Sequence, residues 1–152
     1  MCDQLSFRSA EADDFEAVLN LASQLAFHVE TTAPPLTFDA YKTFYLGPRA
    51  PMHLLLAIHG GQVVGMISWV LTHELNSAHV RVYISDLAIH RHARGLGIGS
   101  RLVSQVKTWA KDHGAQKLGW EVWHRNTTAQ AFYKKTGAVV DQEAIPYVMW
   151  LR

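Results

Sequence analysis

The 152-residue sequence predicts an α/β fold: a mixed sheet with helices on both faces. Three observations lead there. The run "HLLLAIHGGQVVGMISWVLTH", residues 53–73, sets two β-rich segments about a Gly-Gly pair suited to a tight hairpin. The strand-like "HVRVYISDLAIH" then passes through a glycine-rich turn into the amphipathic "SRLVSQVKTWAKDHG" and on to "QKLGWEVW". That β-α-β crossover implies a right-handed parallel pair.

In order, "LSFRS" reads as a first strand. Ser9 is placed to cap a helix whose first turn holds Glu11, Asp13 and Asp14, acids that suit the positive end of its dipole. Phe15, Val18, Leu19, Ala22, Leu25 and Ala26 make its buried stripe, and "TTAPP" breaks it. "FDAYKTFYL" is a short second helix closed by Gly47 and Pro48. After the hairpin and the third long strand, Leu102, Val103, Val106, Trp109 and Ala110 stripe a helix that Gly114 ends. "QKLGWEVW" is a strand and "NTTAQAFYKKTG" a helix capped by Asn126 or Thr127 and ended by Gly137. "AVV" and "IPYVMWLR" are expected to close the chain as strands.

Composition narrows the class. With 49% hydrophobic and 18% charged residues, the chain has the make-up of a globular protein, and its length predicts one domain over 1–152. The formal net charge of +1 and the lack of a basic face with interleaved aromatics point away from nucleic acid. No apolar run reaches the ~18 residues a bilayer span needs, and the N-terminus lacks a signal-peptide pattern. The single cysteine, Cys2, excludes a disulfide within the chain and is poorly placed as a nucleophile. A cytoplasmic setting is the expectation. His90 and His92 form an H-x-H pair without a third ligand nearby, so no metal is expected. Of the five tryptophans most are expected in the core, with Trp69 or Trp123 as candidate walls of an acceptor pocket.

The stretch "HRHARGLGIGSRLV", residues 90–103, carries the chemistry. It has neither the Gly-Lys-Ser/Thr of a P-loop nor the third glycine of the dinucleotide fingerprint, where Ser100 stands. What remains is Arg94-x-x-Gly97-x-Gly99 between a strand and a helix. Glycines let the backbone take positive φ and approach a ligand, and N–H groups at a helix start converge on an anion. His90, Arg91, His92 and Arg94 add charge at the rim.

"SDLAIHRHARGLGIGSRLV" followed by "WEVWHRNTTAQAFYKKTGA" resembles the GNAT superfamily of N-acetyltransferases, most of all its diamine (spermidine/spermine) acetyltransferase group. The resemblance implies a GNAT-like acyl-CoA N-acyltransferase fold with splayed central strands and acetyl-CoA as donor. Backbone groups of Leu87, Ala88 and Ile89 would pair with the pantetheine arm like an added strand. The pyrophosphate would rest on N–H groups of Arg94, Gly95, Leu96, Gly97, Ile98, Gly99 and Ser100. Asn126, with Ala129 in the same motif, would contact the cofactor, and Tyr133 would be the general acid.

Acetyl transfer also needs a neutral amine and a polarised thioester oxygen. A backbone N–H at a bulge near Leu87 or Ala88 is a candidate for the oxygen. For the base, the diamine group carries Glu-Asp where this chain has Ser85-Asp86. Asp86, Glu121 and His124 remain as candidates, acting directly or through water. Acceptor selection is expected from "FHVETTAPPLTFDAYKTFY" and from the last hairpin, "DQEAIPYV". The first expectation is direct attack by a small-molecule amine, such as a diamine or amino acid, in a ternary complex. A peptide amine is the second, and a non-catalytic acyl-CoA sensor lies outside the enzyme class. Dimers are common in proteins resembling this one, so a homodimer is the candidate assembly.

Overall fold

The computed structural model describes residues 4–32 and 34–151; Cys2 lies outside them. The chain divides into two compact units, one ending at Glu121 and the other starting at Val122.

The first unit holds a five-stranded sheet in the order β1 (Ser6–Ser9), β2 (His53–His59), β3 (Gln62–Glu74), β4 (His79–Ile89), β5 (Lys117–Gly119). Neighbours are antiparallel except β4 and β5, which are parallel, so the sheet is mixed as expected. The hairpin joining β2 to β3 turns on Gly60 and Gly61, both at positive φ (56° and 75°). That is the conformation a two-residue turn of this kind requires.

Alternation along the strands feeds two cores. Helix α3 (Ile98–Asp112) packs Ile98, Leu102, Val106 and Ala110 against Ala57, Ile67, Trp69, Val82 and Ile84 on one face. Helices α1 (Phe15–His28) and α2 (Phe38–Tyr45) cover the other, where Val18, Leu21 and Tyr41 meet Leu54, Leu56, Met66 and Ala88.

Ser9 does not cap the first helix. It stays in β1, paired with Leu55, and the turn after it starts at Glu11. There the Glu11 N–H donates to Asp14 Oδ2 (2.8 Å), while Arg8 clamps both Asp14 oxygens at 2.7 and 2.8 Å. The bidentate arginine holds the Asp14 carboxyl below its ordinary range. An acid three residues into the turn thus captures the end that a Ser9 hydroxyl was expected to take.

Three expected strands come out differently. β5 spans only Lys117–Gly119 of the expected 116–123. In the second unit, helix α4 (Thr127–Lys135) forms as expected, with the Asn126 side chain accepting from the Ala129 N–H at 3.0 Å and Gly137 (φ 89°) beyond its end. Neither "AVV" nor "IPYVMWLR" forms a strand among the described residues; Val139, Val140, Ile145, Tyr147 and Val148 are exposed. β-rich composition becomes a strand only beside a neighbour that completes the ladder, and these segments have none here.

Candidate active site

The site is built around β4. At its lower end the strand has a neighbour on each side, but the β5 ladder stops at Tyr83↔Gly119. From Ile84 to Ile89 only β3 pairs with it among the described residues. This end of pairing fits the splay that the resemblance implied. The His90 N–H donates to Val64 O (2.8 Å), which sets the alternation of this antiparallel ladder. Leu87 and Ile89 therefore turn their N–H and C=O groups to the open edge, where Ile89 O accepts from Arg94 Nε at 3.2 Å. Ala88, grouped with them on sequence, turns its backbone toward β3 and buries its side chain under α1 and α2.

The bulge lies earlier than expected, at Ser85 rather than near Leu87 or Ala88. Ser68 opposes Asp86 and Trp69 opposes Ile84, leaving Ser85 as the extra residue of β4. Ile84 faces the α3 core and so does Leu87, three residues on. The bulge thus resets the alternation and delivers Asp86 to the α1/α2 face, where regular pleating would have sent it to the other. This break in parity is visible in "VYISDLAI" as apolar residues at 82, 84, 87 and 89, and it is the signal that could have located the bulge.

On that face a cleft of about 240 Å³ opens between α1 and the sheet. Asp86, Ser68 and Tyr45 supply its polar side, together with Thr31; the other walls are aliphatic. Ser68 Oγ donates to Asp86 Oδ2 at 3.0 Å. Ser68 was not anticipated, though a serine 2% exposed within the buried run Val64–Trp69 is the kind of residue that signals a polar partner. Burial, and then the Asp86 charge, push the Tyr45 phenol up. Tyr83, on the last rung before the splay, is raised by burial and then by Glu121 and Asp86. Glu121 itself is exposed. The aromatic-rich segment contributes Tyr45 to the cleft as expected, while α1, read only as a core helix, contributes Val18, Ala22, Leu25 and Ala26. Trp69 is no part of it, being stacked with His53 (5.2 Å) and meeting Trp109 edge-on (5.4 Å) on the opposite face.

The glycine turn follows β4. Gly95 and Gly97 hold φ of 79° and 74°, and a Cβ at either would meet nothing within 4 Å. Their requirement is conformational, not one of space inside the protein. Gly97 is the N-cap of α3, so that helix starts with no side-chain cap and no acid in its first turn. Its leading N–H groups have no capping side chain, an arrangement that suits an anion. Arg94 through Gly97, and Ser100, are exposed.

The second unit holds Asn126, Ala129 and Tyr133 on α4. Asn126 spends its side-chain oxygen on the helix cap. Burial pushes the Tyr133 phenol up to about 12, and its ring lies 5.0 Å from that of Phe132. A phenol so shifted keeps its proton at neutral pH, as an acid must.

The Acetyltransferase (GNAT) family model matches residues 15–138. The chain belongs to this family. It is an N-acetyltransferase, and acetyl-CoA is the acyl donor that GNAT enzymes generally use. Among its relatives, the D-amino-acid N-acetyltransferase HPA3 of Saccharomyces cerevisiae is 26% identical over 92% of this chain and 88% of that protein. The aminoalkylphosphonate N-acetyltransferase of Salmonella typhimurium is 30% identical over 65% and 63%. Among solved structures, a protein of Bacillus halodurans described as a transcriptional regulator superposes with a TM-score of 0.81, at 25% identity over 96% of this chain and all of that one. Among the described residues, no helix is long and apolar enough to cross a membrane.

Proposed function

We propose that this GNAT protein moves the acetyl group of acetyl-CoA to a primary amine of a small molecule, by direct attack in a ternary complex. The observation that carries this reading is the two-sidedness of β4 above Tyr83. One edge is open beside an uncapped helix start, and one face presents a carboxylate at the floor of a cleft. Leu87 and Ile89 would hold the pantetheine arm through their outward backbone groups, and Arg94 to Ser100 the pyrophosphate. Acetyl-CoA supplies an acyl carbon activated as a thioester. Asp86, oriented by Ser68, draws in the acceptor's ammonium and passes one proton to water; Glu121, exposed beside Tyr83, is the weaker candidate. The N–C bond forms as the C–S bond breaks, and Tyr133 gives its proton to the leaving thiolate. The Asn126 motif, Ala129 included, is carried over from the resemblance alone.

The small cleft and the two small-molecule relatives favour a small amine over a peptide. The diamine group's Glu is Ser85 here, a bulged and exposed residue, which weighs against polyamines. The matched segment draws on both compact units, which supports reading 1–152 as one catalytic domain. The resemblance supports a homodimer, and the single cysteine a reducing setting such as the cytoplasm.

The test is calorimetric binding of acetyl-CoA with thiol release across amines and peptides. Gly97→Val, which forces a β-branched residue to φ 74°, should weaken acetyl-CoA binding by about tenfold or more. Unchanged affinity would contradict the pyrophosphate assignment. Tyr133→Phe should slow kcat by about 10²-fold with acetyl-CoA binding kept; an unchanged kcat would remove the acid. The diamine group's missing Glu, Ser85 here, favours a second reading, non-catalytic acyl-CoA sensing, which binding without any thiol release would support.

A further inference from the structure

Resting on that reading, the chemistry of the cleft names the class of acceptor. Its walls are aliphatic: Val18, Leu25, Leu36, Leu54 and Met66 among them. Asp86 is the one charged residue among the described residues that line it, and no Lys, Arg or His joins it there. We propose that the acceptor is a lipophilic primary monoamine, a single ammonium on an alkyl or arylalkyl body.

One carboxylate matches one ammonium. With Oδ2 of Asp86 taken by Ser68, the other oxygen is left for the substrate. The second ammonium of a polyamine would lie against aliphatic walls, and an unpaired charge there is costly. An amino acid fails for the opposite reason. Its carboxylate would find no cation in the cleft and would be repelled by Asp86. The acceptors named for the two relatives, a D-amino acid and an aminoalkylphosphonate, both carry such an anion, so this chain departs from them. As to size, a cavity of about 150 Å³ holds benzene. The 240 Å³ here leaves room for a ring on a short tether. The bookkeeping of the reaction is unchanged by the body. The ammonium loses one proton to solvent by way of Asp86, the N–C bond forms and the C–S bond breaks. The second proton lost from nitrogen balances the one the thiolate takes up.

Matched pairs test this with the 152-residue chain and saturating acetyl-CoA. Phenethylamine and phenylalanine differ only by a carboxylate; hexylamine and 1,6-diaminohexane differ only by a second ammonium. In thiol release, kcat/KM should be at least about tenfold higher for the monoamine of each pair. Leu36→Arg, which adds a cation to the wall, should narrow the phenethylamine–phenylalanine gap. Should that variant not fold, Leu25→Lys serves instead, and the wild-type pairs stand without either. Phenylalanine or 1,6-diaminohexane matching its monoamine would overturn this inference and leave acetyl transfer to small amines intact. Thiol release with no small amine at all would overturn both.

Discussion

The two faces of the sheet carry different burdens. On the α3 face, Leu102 and Val106 are fully buried, and Trp69, Trp109, His53 and His113 join in one run of ring contacts, some stacked and some edge-on. On the α1/α2 face the packing is interrupted. A cleft stands open beside Asp86, and the aromatic cluster of Phe15, Phe38, Tyr41 and Tyr45 borders it. A single strand, β4, serves both, because the bulge at Ser85 lets Ile84 and Leu87 feed one face while Asp86 goes to the other. The α3 face is thus filled throughout, while the α1/α2 face buries Leu21, Tyr41 and Leu56 as fully but leaves room beside Asp86, where the proposed chemistry would sit.

That division can be broken from either side. The largest effect should come from the filled face. Leu102→Ala empties a fully buried site and should cost about 2–5 kcal/mol in urea unfolding, while the KM for amine measured on folded protein stays put. A matching rise in KM would show that the faces are coupled. Asp86→Asn should do the reverse. Losing the charge proposed to meet the ammonium should lower kcat/KM by about 10²-fold, or roughly 2.7 kcal/mol, with little change in the unfolding midpoint. A midpoint loss with activity intact would make Asp86 structural. Smaller again is Gly65→Ala. Its new Cβ would come within 2.8 Å of Ile89 Cδ1 and 3.3 Å of Leu102 Cδ1, an overpacking worth about 1–3 kcal/mol on the filled face.

The smallest effect is a pH dependence. Burial, and then the neighbouring His113, hold His53 below its ordinary 6.5. A histidine whose folded pKa is depressed leaves stability intact above the unfolded value and removes it as pH falls toward the folded one. Unfolding midpoints should therefore decline from about pH 6.5 downward, and His53→Phe should flatten that slope. Asp14, held down by Arg8, adds a separate loss below its ordinary 3.8. A flat profile between pH 7.5 and 5 would show that His53 protonates at no cost.

Much of this was legible in the sequence, for local reasons. A Gly-Gly pair between β-rich runs leaves one compact solution, and Asn126 before an amphipathic segment caps itself. The R-x-x-G-x-G turn marks positive φ at Gly97. What was missed depends on partners remote in sequence. Ser68 meets Asp86 across 18 positions, and α1 becomes a cleft wall only once the sheet lies beneath it. The Ser9 cap lost to the Arg8–Asp14 clamp, a competition between neighbours that capping preferences alone do not rank. The C-terminal strands failed as expectations because their β-rich composition says nothing about whether a ladder partner is present.

The half-paired stretch of β4 has a consequence for amide hydrogen exchange. Ala88 and His90 direct their N–H groups to β3 and should exchange slowly, while Leu87 and Ile89 direct theirs to the open edge and should exchange fast. The strand should give a two-residue rhythm of slow and fast amides. A bound pantetheine arm would erase that rhythm by slowing the fast set alone, so the occupancy of the donor site could be read from two amides without any turnover.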